Sequence, residues 1–347
     1  MSAPLRILVV RRDNIGDLVC TTPLFTALPQ RFPEAWIGAL VNSYNAPVLR
    51  GNPDLSEVYA YRKFKHREES DSWLRDIWMR YRMIAALRRQ SLDYVVLAGN
   101  AARAMGLARL LRPKSVVGLA GTGARPDIAI EAGDAKHEVE ITFRLAQAFG
   151  VAGLPPAPSV FPDAGAVERL RSEIAVRLPG AKRLVGIHIS ARKPSQRWPI
   201  ERYAELAREL ARQREAGMLL FWSPGPQTDP RHPGDDEKAQ ALALDLRSLP
   251  IVPVPTRDLG ELVAGLSCCD RVICSDGGTM HLAAALAKPI VCLFGQSDAA
   301  RWHPWSVPHA LLQPATRDVR DVGVADVIEA LDRLANPQQA DYYVRRP

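Results

Sequence analysis

Three short stretches of this 347-residue chain gather residue types that handle phosphate oxygens and protons. In Ser275-Asp276-Gly277-Gly278-Thr279-Met280-His281, two glycines lie between an apolar run, Arg271 to Cys274, and an alanine-rich helical run, Leu282 to Ala287. That is the form of a strand, a tight turn and a helix start. The free N–H groups and positive dipole end there make an anion seat, and glycine lets a phosphate approach the backbone. An ordinary β-α turn has the same outline; Asp276, Thr279 and His281 add three hydrogen-bonding side chains to it. Directly after Ser190, the loop Ala191 to Pro199 carries Arg192, Lys193, Ser195 and Arg197, three cations and a hydroxyl suited to a pyrophosphate. Arg11-Arg12-Asp13-Asn14-Ile15-Gly16-Asp17 instead places a carboxylate, Asp17, in the first turn of a helix. There it is either a proton acceptor or a dipole-stabilised cap.

Each of these loops must be held by a buried strand. Leu5 to Val10, Trp36 to Val41, Glu57 to Tyr61, Leu92 to Ala98 and Ser115 to Leu119 read as parallel strands of one β-α domain. Pro23 is expected to kink or interrupt the helix that begins at Leu18. A basic cluster, Arg62-Lys63-Phe64-Lys65-His66-Arg67, suits a phosphorylated acceptor or a membrane interface. Behind it Trp73, Ile77, Trp78, Tyr81, Ile84 and Leu87 recur at helical spacing, which predicts one apolar stripe packed on its own domain with the intervening arginines solvated. From Ile128 the chain turns polar, and His137 to Phe149 reads as one long helix. It holds a single histidine, so it lacks the paired spacing of a zinc helix, and His137 is expected at the surface or lining a cleft.

Val151 to Pro162 holds four prolines and little periodicity, which predicts a boundary, with domains over residues 1–155 and 156–347. The second half repeats the β-α rhythm, with strands over 183–189, 218–223, 271–274 and 290–294. Helices are expected over 164–178, 201–214 and 258–267. Apolar residues make up 47% and charged residues 24%, the balance of a folded globular chain rather than a disordered one. A net charge of +7 points to an acidic partner without choosing among nucleic acid, a membrane surface and a phosphorylated substrate. Five cysteines without a C-x-x-C pair argue against a disulfide framework and a zinc cluster. The first apolar run is too short for a signal peptide, and no stretch reaches the roughly 18 apolar residues of a spanning helix. The expected location is the cytoplasm, with at most a peripheral contact at the inner membrane.

Arg11 to Asp17, Ser190 to Pro199 with its Trp-Pro, Ser275 to His281 and Phe294-Gly295-Gln296-Ser297-Asp298 together resemble glycosyltransferase family 9, the bacterial heptosyltransferases of lipopolysaccharide core synthesis. The resemblance runs over nearly the whole chain, in order. It implies the GT-B fold, two Rossmann-like β/α/β domains facing across a cleft, the first binding the acceptor and the second the nucleotide-sugar donor. It also implies inverting transfer of heptose from ADP-heptose to a sugar hydroxyl of the anionic core, with no metal ion or other cofactor. The family's general base maps onto Asp17, and its donor-binding D-x-G-x-x-H onto Asp276, Gly278 and His281. Asn14, Gly16, Ser190, Lys193, Arg197, Gly277 and Thr279 join the expected donor set; Arg11, Arg62, Lys63, Lys65 and Arg67 form the expected acceptor set. One position departs: the family's lysine two residues before the Trp-Pro is Gln196 here, leaving Lys193 or Arg197 to supply the charge.

Two rivals remain on sequence alone. A nucleotide-sugar epimerase or hydrolase would share the architecture and the donor seat, since fold does not fix reaction. A nucleic-acid-binding protein would explain the charge, but helix-turn-helix, zinc-finger and RRM signatures are absent from the sequence. The sequence also has no D-x-D pair of the kind with which metal-dependent sugar transferases hold a divalent cation.

Overall fold

The computed structural model describes residues 4–61, 73–212, 216–229, 233–334 and 343–345, and the chain divides into two units, Met1–Ser159 and Val160–Pro347. The basic cluster Arg62, Lys63, Lys65 and Arg67 lies outside the described residues.

The first unit is built on a six-stranded parallel sheet, β1 (Arg6–Val10), β2 (Trp36–Asn42), β3 (Glu57–Tyr61), β4 (Tyr94–Leu97), β5 (Ser115–Leu119) and β6 (Ile128–Ile130), in the order β3-β2-β1-β4-β5-β6. Ile7, Leu8 and Val9 of the central strand are wholly buried, as an unbroken apolar run must be when both faces are covered. Strand β1 pairs with β2 on one side and β4 on the other, so the strand order reverses at its carboxyl end. In open parallel sheets that is where ligands bind, and Arg11 to Asp17 leaves β1 there.

The first helical stretch is split into α1 (Ile15–Val19) and α2 (Thr22–Arg31), as the proline predicts. Pro23 sits in the first turn of α2, where a missing N–H costs nothing. Helices α3 (Trp73–Arg89) and α4 (Ala101–Leu111) follow β3 and β4. The expected single packed stripe on α3 is corrected: Leu87 is buried, with Met83 and Ile84 packed beside it, while Ile77, Trp78 and Tyr81 are exposed.

The expected long helix from His137 is corrected too. It consists of α5 (Glu138–Phe143) followed by a tighter 3₁₀ stretch, Arg144–Phe149, ending at Gly150. Phe143, Ala146 and Phe149 are all buried, and three residues per turn put them on one line. Nor is His137 at the surface: its ring is buried and Nδ1 accepts from the Val139 N–H at 3.1 Å, capping α5.

The second unit carries α6 (Ala164–Arg177), β7 (Arg183–His188), α7 (Ile200–Arg212), β8 (Ala216–Trp222), α8 (Asp236–Asp245), β9 (Ile251–Pro255) and α9 (Leu259–Ser267). There follow β10 (Arg271–Ser275), α10 (Gly278–Ala285), β11 (Ile290–Leu293), α11 (Ala299–Trp302), β12 (His309–Leu312), α12 (Val324–Leu334) and β13 (Tyr343–Arg345). Its parallel sheet runs β13-β12-β11-β10-β7-β8-β9. Strand order reverses between β7 and β10, so the loops after these two strands, 189–199 and 276–277, leave the sheet side by side. Trp198 anchors the first of them: it is buried, donates Nε1–H to the Val322 carbonyl at 3.0 Å, and packs edge-on against Tyr203. Among the described residues no helix is long and apolar enough to cross a membrane.

Candidate functional site

At the end of β1 the chain sets a buried cation among carboxylates. Arg11 is 2% exposed. Its Nη2 lies 2.7 Å from Asp17 Oδ1 and 2.7 Å from Glu138 Oε1, and its Nε 3.3 Å from Asp13 Oδ2. Nη1 donates to the Ala98 carbonyl and, at 3.3 Å, to Thr142 Oγ1. Buried Asn42 holds the loop from below, its side-chain amide donating to the carbonyls of Arg12 at 3.1 Å and Asp13 at 2.9 Å. All of Arg11's contacts are internal, so the guanidinium assigned to the acceptor set from sequence is committed to positioning its own loop.

Asp17 occupies the third position of α1, and Oδ2 accepts both the Asn14 backbone N–H and the Asn14 side-chain amide at 3.0 Å. The capping role is therefore real. With Arg11 on Oδ1, three bonds are made to a group with about four acceptor directions, which leaves one for an incoming hydroxyl. Burial alone would raise the Asp17 carboxyl; the Arg11 guanidinium and the Asn14 donors outweigh it and hold the pKa below the usual 3.8. Asp17 is thus ionised at neutral pH, in the state that accepts a proton.

Glu138 is a member of the site that sequence reasoning missed: it pairs with Arg11, which stands 127 positions away. No local pattern links the two; the parallel sheet does.

In the second unit the expected donor residues are joined by hydrogen bonds. Ser275 Oγ donates to the Gln196 carbonyl at 2.7 Å, and Gln196 Nε2 donates to Asp276 Oδ2 at 2.6 Å and to Ser297 Oγ at 3.3 Å. Lys193 Nζ donates to the same Ser297 hydroxyl at 3.4 Å. Burial raises the Asp276 carboxyl, opposed by Ser297, the Lys193 charge and Gln196. Gly295 packs so closely that a Cβ there would lie 2.5 Å from the Ser195 carbonyl oxygen. At Gly277 the opposite holds: among the described residues, its chain neighbours apart, no atom lies within 4 Å of where a Cβ would stand, so the backbone at the start of α10 is open. The first amides of that helix have no intrahelical acceptors.

Other expected members have structural contacts. Thr279 Oγ1 faces His188 Nε2 at 3.3 Å, and burial, with Lys238 nearby, pushes the His188 pKa down to about 4. The buried ring of His281 meets Trp302 edge-on at 6.0 Å. Ser190 Oγ accepts from the Ser223 N–H at 3.0 Å, and Arg197 Nε donates to the Ala191 carbonyl at 2.9 Å. Lys238, absent from the sequence-based set, donates to the carbonyls of Ile189 at 3.1 Å and Trp198 at 3.3 Å, tying both ends of the 190–197 loop. Burial brings its pKa down to about 8.

The family described as glycosyltransferase family 9 (heptosyltransferase) matches residues 80–321, which hold Glu138 and the whole second-unit seat; the Arg11 to Asp17 loop lies ahead of that match. Lipopolysaccharide heptosyltransferase 3 of Escherichia coli is 23% identical over 345 residues, covering 92% of this chain and 96% of its own. Among solved structures, a family 9 glycosyl transferase from Veillonella parvula superposes with a TM-score of 0.81 at 20% identity, covering 96% of this chain and 98% of its own. An E. coli heptosyltransferase with ADP-2-deoxy-2-fluoro heptose superposes at 0.75 with 20% identity, covering 94% and 99%. These likenesses show the GT-B class of fold, two Rossmann-like domains, and the family match covers more than two thirds of the sequence: the chain belongs to glycosyltransferase family 9.

Proposed function

We infer that the protein is an inverting, metal-independent transferase that moves heptose from ADP-heptose to a sugar hydroxyl of the lipopolysaccharide inner core. The observation that carries this reading is an ionised Asp17 with one free acceptor direction, at the point where the strand order reverses in the first unit. The open helix start at Gly277, beside Lys193 and Gln196 in the second unit, supports the donor half. The choice of donor is supported by the heptosyltransferase names among relatives and by the relative solved with an ADP-heptose analogue.

Asp17 accepts the proton of the acceptor hydroxyl as its oxygen attacks the anomeric carbon, an effect typically worth about 10² to 10⁴ in rate. The bond from that carbon to the diphosphate oxygen breaks on the opposite face, and its electron pair leaves with ADP, which inverts the anomeric centre. The start of α10 and Lys193, with Arg197 close in sequence, meet the charge that develops on the diphosphate and do the work of a divalent ion. Arg11 and Glu138 hold Asp17 ionised and oriented. The first unit takes the acceptor and the second the donor, and Arg62, Lys63, Lys65 and Arg67 meet the anionic acceptor through their charge. The proposed location is the cytoplasm.

The test is a mass spectrum of products from a panel of nucleotide sugars with truncated core acceptors, run with and without EDTA. A heptosylated core of inverted anomeric configuration, formed from ADP-heptose at an undiminished rate in EDTA, is the expected result. Turnover of ADP-heptose with no acceptor present would instead identify an epimerase or hydrolase.

A further inference from the structure

Helix α3 presents two apolar faces rather than one. Met83, Ile84 and Leu87 fix its carboxyl-terminal half to the core of the first unit. Leu74, Ile77, Trp78 and Tyr81 fall at i, i+3, i+4 and i+7, a single stripe, and each is between 48% and 69% exposed. With Met79, this helix supplies five of the twelve large apolar side chains exposed among the described residues, so the exposure is concentrated rather than scattered.

The charge around the stripe has one sign. Helix α3 carries five arginines against one aspartate, Asp76, and α4, which packs on it, adds Arg103 and Arg109 with no acid. Arg75, Arg82, Arg88, Arg89, Arg103 and Arg109 are all exposed. The Arg82 guanidinium lies 4.6 Å from the centre of the Trp78 ring, so a cation rides directly on the apolar stripe. An indole, a phenol and aliphatic side chains on one face, ringed by guanidinium groups, form the pattern of a helix lying in a lipid headgroup layer: apolar groups enter the acyl boundary and cations meet the phosphates.

We propose that the exposed face of α3 docks the protein on an anionic bilayer surface, with Leu74, Ile77, Trp78 and Tyr81 inserted and the arginines of α3 and α4 on the headgroups. Docking of this kind is reversible and salt-sensitive, since one short stripe falls far short of a spanning segment.

Flotation of the full chain with vesicles tests this without any sugar donor, and so independently of the transferase reading. Vesicles of phosphatidylglycerol with phosphatidylethanolamine should carry the protein upward at low salt, and vesicles of phosphatidylcholine alone should carry much less. The double change Ile77→Ser with Trp78→Ser should lower the bound fraction about tenfold or more, with an unchanged melting temperature. The change Arg75→Gln with Arg82→Gln should remove much of the salt-sensitive part. Equal flotation of wild type and the Ser double variant, equal flotation on neutral vesicles, or none on anionic ones would overturn the proposal. So would light scattering that finds a wild-type dimer which the Ser double variant converts to monomer, for then a second copy covers the stripe.

Discussion

Asp17, Arg11 and Glu138 form a unit whose parts have meaning only together. A buried guanidinium among three carboxylates is held by pairing, and removing the cation leaves the anions uncompensated. Arg11→Met should therefore lower stability by about 3 to 5 kcal/mol in urea unfolding; a loss within error would mean that the cluster rearranges freely. His188 supplies a second test at this scale. Its pKa falls from 6.5 to about 4 on folding, so the unfolded chain binds more protons between these values. Its stabilising share is complete above pH 6.5 and is lost as pH falls toward 4, about 3 kcal/mol in all. The acid limb of stability against pH should be shallower in His188→Gln, and superimposable limbs would contradict this. At this scale the sequence singles out Asp17 by a local signature, a carboxylate in the first turn after a buried strand, and the structure places it there, capping α1 and paired with Arg11. It did not single out Glu138 as the partner of Arg11 or Lys238 as the tie of the 190–197 loop, since these helix residues meet partners distant in sequence only once the units have folded.

Among elements, the two glycines of the second-unit loops separate folding from binding. Gly295→Ala drives a methyl into the Ser195 carbonyl and should lower the stability of the unit by about 1 to 3 kcal/mol. Gly277→Ala meets open space, with φ at 161°, an extended value, and should lose at most about 1 kcal/mol as a poorer cap. Its affinity for ADP-heptose in calorimetry should nevertheless fall at least about tenfold, since a methyl then stands where the phosphate would approach the backbone. Unchanged affinity would remove the diphosphate from that helix start. Strand Ser115–Leu119 was legible from sequence to the residue, because a buried β-branched run between turn residues has little else to be; Glu57–Tyr61 was legible to the residue as well, although it is a largely exposed strand at the sheet edge. Strand β9 was not, because its Pro253 and Pro255 argue against a strand; it lies at the sheet edge, where prolines are tolerated. Helix α3 was misread because apolar spacing shows that faces exist without showing which one the core takes.

At the scale of the molecule, two β-α units each bring a loop with chemical content to the point where its sheet reverses strand order. The repeated strand-helix rhythm and the proline-rich stretch near residue 155 made two such units expected, and the chain passes from one unit to the other between Ser159 and Val160. Which unit serves which substrate is a matter of chemistry rather than topology, and the proposed assignment rests on ionised Asp17 in the first unit and the open helix start at Gly277 in the second. The most direct test compares wild type with Asp17→Asn, measuring ADP-heptose affinity by calorimetry and transfer to a core acceptor in a single turnover. The account predicts donor affinity within about threefold of wild type and transfer slowed by about a hundredfold or more. Transfer at the wild-type rate from the Asn variant would show that another group takes the proton, and the assignment of Asp17 would fall.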